Sequence, residues 1–424
     1  MSPGERMTSL MAELFPLCRS ITGQGVRDTL STVAGRIPLE VHEVPSGTQV
    51  LDWTVPDEWN IRDAYVARPD GERVVDFLAS NLHVVGYSEP IRAEMSLEEL
   101  RPHLHAHAER PDWVPYRTSY YSRTWGFCLT RNDLDALTEG PYEVVVDSTL
   151  ERGSLTYGEC VIPGDSDAEV LLTTHVCHPS LANDNLSGIA LLTQLAETLA
   201  ASPRHFTYRF LFIPGTIGSI TWLARNGTRL EAIVAGLVVA CVGDGAPLSY
   251  KRTHLGDASI DRAAAHVVSR SSGGNVLDYV PWGWDERQFN SPGFRLPVGS
   301  LCRSREGEYA EYHSSADDHE LVSSERLDEA LRAVIDILDV LETDRRYVNL
   351  APRGEPQLGR RGLYPSVGGA AAEEEQLAML WVLHLSDGRH SLLEVAGRSG
   401  LPFGAIRDAA RRLRGAGLLD ESAS

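Results

Sequence analysis

An α/β fold built on a doubly wound, mainly parallel sheet is the class this sequence predicts, and three observations predict it. From Glu169 to Leu341, buried-type strand runs alternate with helical runs, the pattern of parallel strands joined by crossover helices. The ends of those strands carry chemistry. The apolar run Val170 to Leu172 delivers His175, a loop carries His178, and Asp184 stands in Asn-Asp-Asn just before Leu186-Ser187-Gly188 opens a helix. Open sheets bind ligands in the crevice beyond the carboxyl ends of their strands. Finally, 424 residues with 42% hydrophobic and 23% charged content exceed one ordinary globular core, so one large domain with smaller attachments is expected.

The elements follow in order. Met7 to Ile37 predicts two helices, the first with Leu10, Met11, Leu14 and Phe15 at helical spacing, the second from Val26 to Val33 after the turn Thr22-Gly23-Gln24-Gly25. Residues 1–45 are therefore N-terminal helices of the core. Residues 46–162 read as an inserted, mostly β subdomain. Its short β-like runs (Gln49 to Trp53, Tyr142 to Val146, Leu155 to Ile162) are broken by Pro56, Pro69, Pro90, Pro102, Pro111 and Pro115.

Residues 163–346 form the expected sheet domain. Strands at Glu169 to Thr174, Tyr208 to Ile213, Ile233 to Val242 and Arg295 to Gly299 alternate with helices at Ser187 to Ala200, Ser219 to Asn226, Asp257 to Ser269 and Ser323 to Glu342. A linker is expected over 347–375. Residues 376–424 predict a winged-helix module: a helix Gln376 to His384, the turn Ser386-Asp387-Gly388, a helix Ser391 to Arg398, and a longer helix Phe403 to Arg414.

A formal net charge of -20 argues against broad phosphate binding. The winged helix carries Arg407, Arg411, Arg412 and Arg414, yet Trp381 to Ser424 holds six Arg against five acids. Without a basic field, protein docking or homo-oligomer formation is the expected role of this module, and nucleic-acid binding is not. Six cysteines lack CxxC pairs and no long apolar span opens the chain. The expectation is a cytoplasmic protein with reduced thiols and no membrane partner.

The candidate site assembles from strand ends. Asp244 follows the run Ile233 to Val242, and His313 stands in Glu308-Tyr309-Ala310-Glu311-Tyr312-His313-Ser314-Ser315-Ala316-Asp317-Asp318 before the last helix. His175, Asp184, Asp244 and His313 make a two-histidine, two-carboxylate set of the kind zinc takes. The alternative for the first loop is a hydrogen-bonded network in which Asp184 caps a helix. Lys251 is the only lysine in the chain, and it is a candidate for binding a substrate carboxylate at the site rim. Trp284, in Trp282-Gly283-Trp284-Asp285-Glu286-Arg287-Gln288, is a candidate pocket wall, whereas Trp53, Trp59, Trp113 and Trp125 read as core of the β subdomain.

In order and context these motifs resemble the zinc aminopeptidases with a phosphorylase/hydrolase-like α/β fold. The similarity is greater to a bacterial branch with an aminopeptidase-like core, an inserted small β domain and a C-terminal winged helix. Many members of that branch lie near polysaccharide or natural-product genes. The segments that carry the resemblance are Pro16 to Gly23, Ser46-Gly47-Thr48 with Asp52 to Pro56, Glu58 to Ala64, His83 to Tyr87, Thr118 to Tyr121 with Trp125 to Cys128, and the metal motifs.

The resemblance implies His175 as first zinc ligand, Asp184 as a carboxylate bridging two ions, Asp244 as a further ligand and His313 as the last, for one or two zinc ions. His178 is a rival or additional ligand. Tyr312 would steady an oxyanion. Cys177 lies where the aminopeptidases place an Asp that orients the first histidine, and Gly215 where they place a Glu pair that supplies the general base. Glu308, Glu311, Asp317, Asp318 and His178 are the candidate replacements; Glu311 pairing with Arg303 or Arg305, and Asp318 capping the next helix, are the structural alternatives. The implied function is zinc-dependent cleavage of an amide bond in a small amino-acid, peptidyl or N-acyl conjugate, in a biosynthetic pathway. The alternative is a silent metal-binding assembly or regulatory protein that works through its winged helix.

Overall fold

Helix Pro3–Leu14 begins where Ser2 accepts from the Glu5 N–H and the Glu5 carboxylate accepts from the Ser2 N–H, a reciprocal cap for donors that lack intrahelical partners. Met7, Leu10, Met11 and Leu14 are its buried face. In this computed structural model, which describes residues 1–363 and 370–422, the chain divides into two compact units, Met1–Ala333 and Val334–Ser424.

The first unit is organised on an eight-stranded sheet in the order Glu40–Pro45, Ser154–Ile162, Thr207–Ile213, Glu169–His175, Ile233–Val239, Val298–Cys302, Ser249–Lys251, Asn275–Leu277. The central pairings are parallel: Glu169–His175 against both Thr207–Ile213 and Ile233–Val239, and Ile233–Val239 against Val298–Cys302. Every residue of Glu169–His175 is buried, as expected of a strand covered on both faces. From this strand the chain moves first to one side, to Thr207–Ile213, and then to the other, to Ile233–Val239. The crevice at its carboxyl end is thus a topological switch point. Gly188 lets the following helix, Gly188–Ala200, approach closely, because a Cβ there would stand 2.5 Å from Thr174 Oγ1 and 2.7 Å from the Val239 carbonyl.

The inserted subdomain is a four-stranded antiparallel sheet in the order Arg73–Asp76, Glu58–Ala67, Pro141–Glu151, Ile91–Ser96. It is shorter than the predicted 46–162. Ser154–Ile162 pairs antiparallel with Thr207–Ile213 in the large sheet, and Glu40–Pro45 pairs with it in turn. Seven of the nine residues of Ser154–Ile162 are buried, the mark of an internal strand rather than a half-solvated one. Arg27 on helix Gln24–Ala34 ties the insert to the core by donating two hydrogen bonds to the Glu58 carboxylate, from Nη1 at 2.8 Å and from Nη2 at 2.6 Å.

In the second unit, Arg346–Asn349 is the middle strand of a three-stranded antiparallel sheet, between Asp387–Ser391 and Leu419–Glu421. Helices Ala370–Leu385, Leu392–Ser399 and Phe403–Gly415 complete the module. The predicted linker 347–375 therefore begins inside a strand and ends inside a helix. Four residues of mixed polarity carry no strand pattern of their own; the ladder comes from partners 39 to 45 residues away on one edge and 70 to 74 on the other. Part of that linker, 364–369, lies outside the described residues. All six cysteines are free, and among the described residues no helix is long and apolar enough to cross a membrane.

Candidate metal centre

His175 ends the central strand, and its Nε2 lies 2.8 Å from Asp184 Oδ1. Asp184 comes from the turn Ala182–Ser187, which a dense network holds open. The Asp317 carboxylate accepts from the backbone N–H of Asn183 at 2.5 Å and of Asp184 at 2.9 Å. Asn183 bonds Asp244 Oδ2 at 2.6 Å and accepts from the Gly243 N–H at 2.9 Å. Asn185 donates to Thr174 Oγ1 at 2.7 Å and to the His175 carbonyl at 3.0 Å. Both neighbours of Asp184 are asparagines because each must donate and accept through one side chain inside a dry loop.

His178 follows on the same loop. Its carbonyl accepts from buried Arg19 at 2.8 Å, which gives the N-terminal Pro16 to Gly23 motif its structural purpose. One ligand atom each from His175, His178 and Asp184 lie within 4.8 Å of one another. His313 approaches from the far side, its Nε2 3.1 Å from Asp184 Oδ2. Its backbone is left-handed at φ +53, a conformation uncommon outside glycine and typical of over-determined sites. The insert helps impose it: the Tyr116 N–H donates to the His313 carbonyl at 2.7 Å, and the two rings meet edge to face at 5.0 Å.

Apart from their 3.1 Å contact with each other, Asp184 Oδ2 and His313 Nε2 are buried without a hydrogen-bond partner among the described residues. Buried polar atoms are rarely left so, and a cation held by imidazole and carboxylate would satisfy both. Burial pushes the His178 imidazole down to about 3, with Asp184 opposing, so it stands neutral, the form in which imidazole ligates metals. Burial pushes Asp184 up, but the three surrounding imidazoles outweigh it and hold its carboxyl well below the usual range. The donor set fits zinc.

These residues line a cavity of about 370 Å³. Its other walls are Trp53, Tyr116, Tyr120 and Tyr121 from the insert, Gly215 to Ile217 beyond strand Thr207–Ile213, Trp284, Asp285 and Arg287 at the start of the short helix Glu286–Phe289, and Glu306 and Tyr312 from a later loop. Tyr312 stacks on His313 at 3.9 Å. Burial raises the Glu306 carboxyl above its ordinary value, and burial likewise raises Asp285, which accepts from the Thr216 N–H at 2.7 Å and Ser219 Oγ at 3.0 Å.

Several sequence candidates are placed elsewhere. Asp244, predicted as a ligand, lies outside both the metal-capable group and the cavity wall. Its carboxylate is taken by Asn183, by the Ala246 N–H at 2.7 Å and by the Ser304 N–H at 3.3 Å, so it braces the asparagine beside Asp184. Lys251, predicted at the rim, is turned inward to the Trp282 carbonyl and the fully buried Glu286 carboxylate. Glu308 is exposed and paired with Arg305, and neither it nor Glu311 lines the cavity. Asp317 supports the Asp184 backbone, and Asp318 closes a turn onto the Glu320 N–H at 2.8 Å.

Glu306, two residues before Glu308, is the acid of that loop that reaches the cavity. The loop is irregular, so no periodicity assigns its side chains to a face. Trp53, predicted as core, is 40% exposed and lines the cavity instead.

Gly215 has no positive φ; its neighbour Thr216 does, at +61. A Cβ at 215 would stand 3.3 Å from Cys177 Sγ and 3.7 Å from His175 Cβ. Cys177, its thiol pushed up by burial to about 12, accepts from the Gly215 N–H at 3.2 Å. It fills the space beside His175 as a neutral group.

A mixed α/β core whose central strand and the turn after it bring histidine and aspartate to a cavity, followed in the chain by a winged helix, defines an aminopeptidase-like fold with a C-terminal winged-helix module. The chain belongs to the family described as a domain of unknown function, DUF4910, which matches residues 8–344, and residues 345–421 match a winged helix-turn-helix family. It is 51% identical over 412 residues, 97% of this chain and 95% of the relative, to a Clostridium acetobutylicum protein provisionally named a polysaccharide biosynthesis protein with an aminopeptidase-like domain. A crystal structure from Clostridium acetobutylicum, provisionally described as a peptidase, superposes with TM-score 0.94 at 50% identity, covering 99% of this chain and 96% of that one. A zinc aminopeptidase from Bacillus subtilis shares the fold, with TM-score 0.57 at 14% identity over 79% of this chain and 94% of that one.

Proposed function

We propose that the chain is a zinc-dependent hydrolase that cleaves an amide bond in a small amino-acid, peptidyl or N-acyl conjugate, in the cytoplasm, within polysaccharide or related biosynthesis. The observation that carries this is the convergence of His175, His178, His313 and Asp184, with two buried atoms unpartnered, on the wall of a small-molecule-sized cavity. His175, His178, Asp184 and His313 would hold the ion. Bound there, zinc supplies a Lewis acid that polarises a carbonyl and lowers the pKa of water.

The chain's own groups do the rest. Glu306, half-buried on the wall of the same cavity, takes a proton from water and returns it to the leaving nitrogen, the task that the missing acid at Gly215 leaves open. The Tyr312 hydroxyl keeps its proton, since burial raises it far above its ordinary value, and donates to the developing oxyanion. Tyr116, Tyr120 and Trp53 shield the reacting bond from bulk water.

The test is elemental analysis of protein purified with zinc supplementation, followed by hydrolysis assays on a panel of dipeptides, aminoacyl anilides and N-acyl amino acids. Zinc with turnover supports the reading; absence of zinc overturns it. Gly215 favours a second reading, a silent metal-binding assembly protein, and zinc binding without turnover on any panel member is the result that would support it.

A further inference from the structure

Three residues that line the cavity each hold a buried polar atom without a partner among the described residues: Arg287 Nε, Trp284 Nε1 and Glu306 Oε2. Most arginines of this chain that are not fully exposed are matched to acids, as Arg27 to Glu58, Arg209 to Glu169 and Arg303 to Glu329. Arg287 differs. Among the described residues its side chain makes one bond, Nη2 to Thr216 Oγ1 at 3.3 Å, although Asp285 and Glu306 border the same cavity.

Asp285 has one carboxylate oxygen engaged by Thr216 and Ser219. Arg287 and Trp284 thus border, with no acceptor matched to Arg287 Nε or Trp284 Nε1 among the described residues, the cavity that His175, His178, Asp184 and His313 also line. Buried donors without acceptors are costly, and a planar fork matches a carboxylate through two parallel bonds. The aromatic walls Tyr116, Tyr120 and Trp53 offer apolar surface for the remainder of a ligand.

We propose that Arg287 and Trp284 form the binding site for a substrate carboxylate, so that the substrate class is an N-acyl or N-aminoacyl amino acid with a free carboxylate. The proposal rests on the hydrolase reading of this cavity and narrows it. It also moves the anion-binding task from Lys251, which the fold turns inward, to an arginine 36 positions later in the chain.

The test is isothermal titration of the zinc-supplemented full-length chain with N-acetyl-L-phenylalanine and with its uncharged amide. The acid is expected to bind at least roughly 10-fold tighter than the amide, the range of one charge-assisted interaction. Arg287→Met should abolish that ratio with zinc content and Tm unchanged, Arg287→Lys should retain part of it, and Trp284→Phe should weaken the acid several-fold and not the amide. Equal binding of the two probes, binding of neither, or an acid preference that survives Arg287→Met overturns the proposal, the last because it would place the carboxylate on the metal. An Arg287-dependent preference in protein that holds no zinc would leave this site standing and remove the hydrolase reading.

Discussion

Asp184 is the residue on which the centre turns, since three imidazoles face its two oxygens and Asp317 anchors its backbone. Its replacement by alanine, and that of His313, should release zinc. Inductively coupled plasma analysis of protein purified at near-neutral pH is expected to find about one ion per wild-type chain, the count a single four-donor cluster holds, and far less in either variant. Proton transfer is separable from metal binding. Glu306→Gln should lower turnover about 10²-fold with zinc content unchanged, the signature of a lost acid/base group without lost Lewis acid. Glu308→Gln and Glu311→Gln should leave turnover near wild type, because neither side chain lines the cavity. A deep loss in Glu308→Gln alone would point to a rearranged loop and away from Glu306.

At the scale of elements, the inserted sheet and the core are joined by side chains as well as by chain. Glu58, on the insert strand Glu58–Ala67, accepts both nitrogens of Arg27 and the Ser154 N–H at 2.8 Å. Its carboxyl is held down to about 2, chiefly by the Arg27 guanidinium, with burial opposing. A depressed carboxyl pKa stabilises the fold above the unfolded value and loses that contribution as pH falls toward the folded one. Glu58→Gln should therefore cost about 1 kcal/mol near neutral pH, partly exposed as the pair is. The gap in Tm between wild type and variant should narrow steadily below about pH 4.5, the ordinary carboxyl value. A gap that stays constant down to pH 3 would show that the ion pair contributes nothing. The same joint positions the cavity, since the insert supplies Trp53, Tyr116 and Tyr120 to it.

For the whole molecule, the module boundary decides how it is divided experimentally. Arg346–Asn349 is the middle strand of the winged-helix sheet, so a cut near Pro365, which lies outside the described residues, would strip that strand of both partners. A chain ending after Asp344 is the better division, and it should retain full zinc content by elemental analysis. The arginines of helix Phe403–Gly415 are matched to acids within their own unit: Arg407 to Asp339 and Asp408, Arg411 to Asp408, Arg412 to Glu375, Arg414 to Glu421. With these charges paired internally and a chain charge of -20, fluorescence anisotropy with random duplex DNA at physiological salt should show no submicromolar binding. Tight, salt-dependent binding would assign this module to nucleic acid rather than to a protein partner or a second copy of the chain.

Alternation of buried strands with helices, the histidine at the end of Glu169–His175 and the Asn-Asp-Asn turn after it are local patterns, and they made the α/β class, the central parallel strands and the histidine- and aspartate-bearing loop legible in the sequence; the outer strands and the strand order came from the tertiary structure. The winged helix was legible for the same reason: its helices carry their own periodicity and turn residues. Which acid serves the cavity was not legible. Asp244, Glu306, Glu308 and Glu311 sit in loops without a period and Lys251 ends a three-residue strand, so direction is set by individual partners, local for Glu308 and distant for Asp244 and Lys251. Asn183 claims Asp244, Arg305 draws Glu308 outward, and buried Glu286 turns Lys251 inward. The strand Arg346–Asn349 belongs to the same class, since its backbone becomes a ladder only when distant segments close on both edges. Periodic burial is written into consecutive residues; the destinations of Asp244 and Lys251 are decided by neighbours that only the tertiary fold supplies.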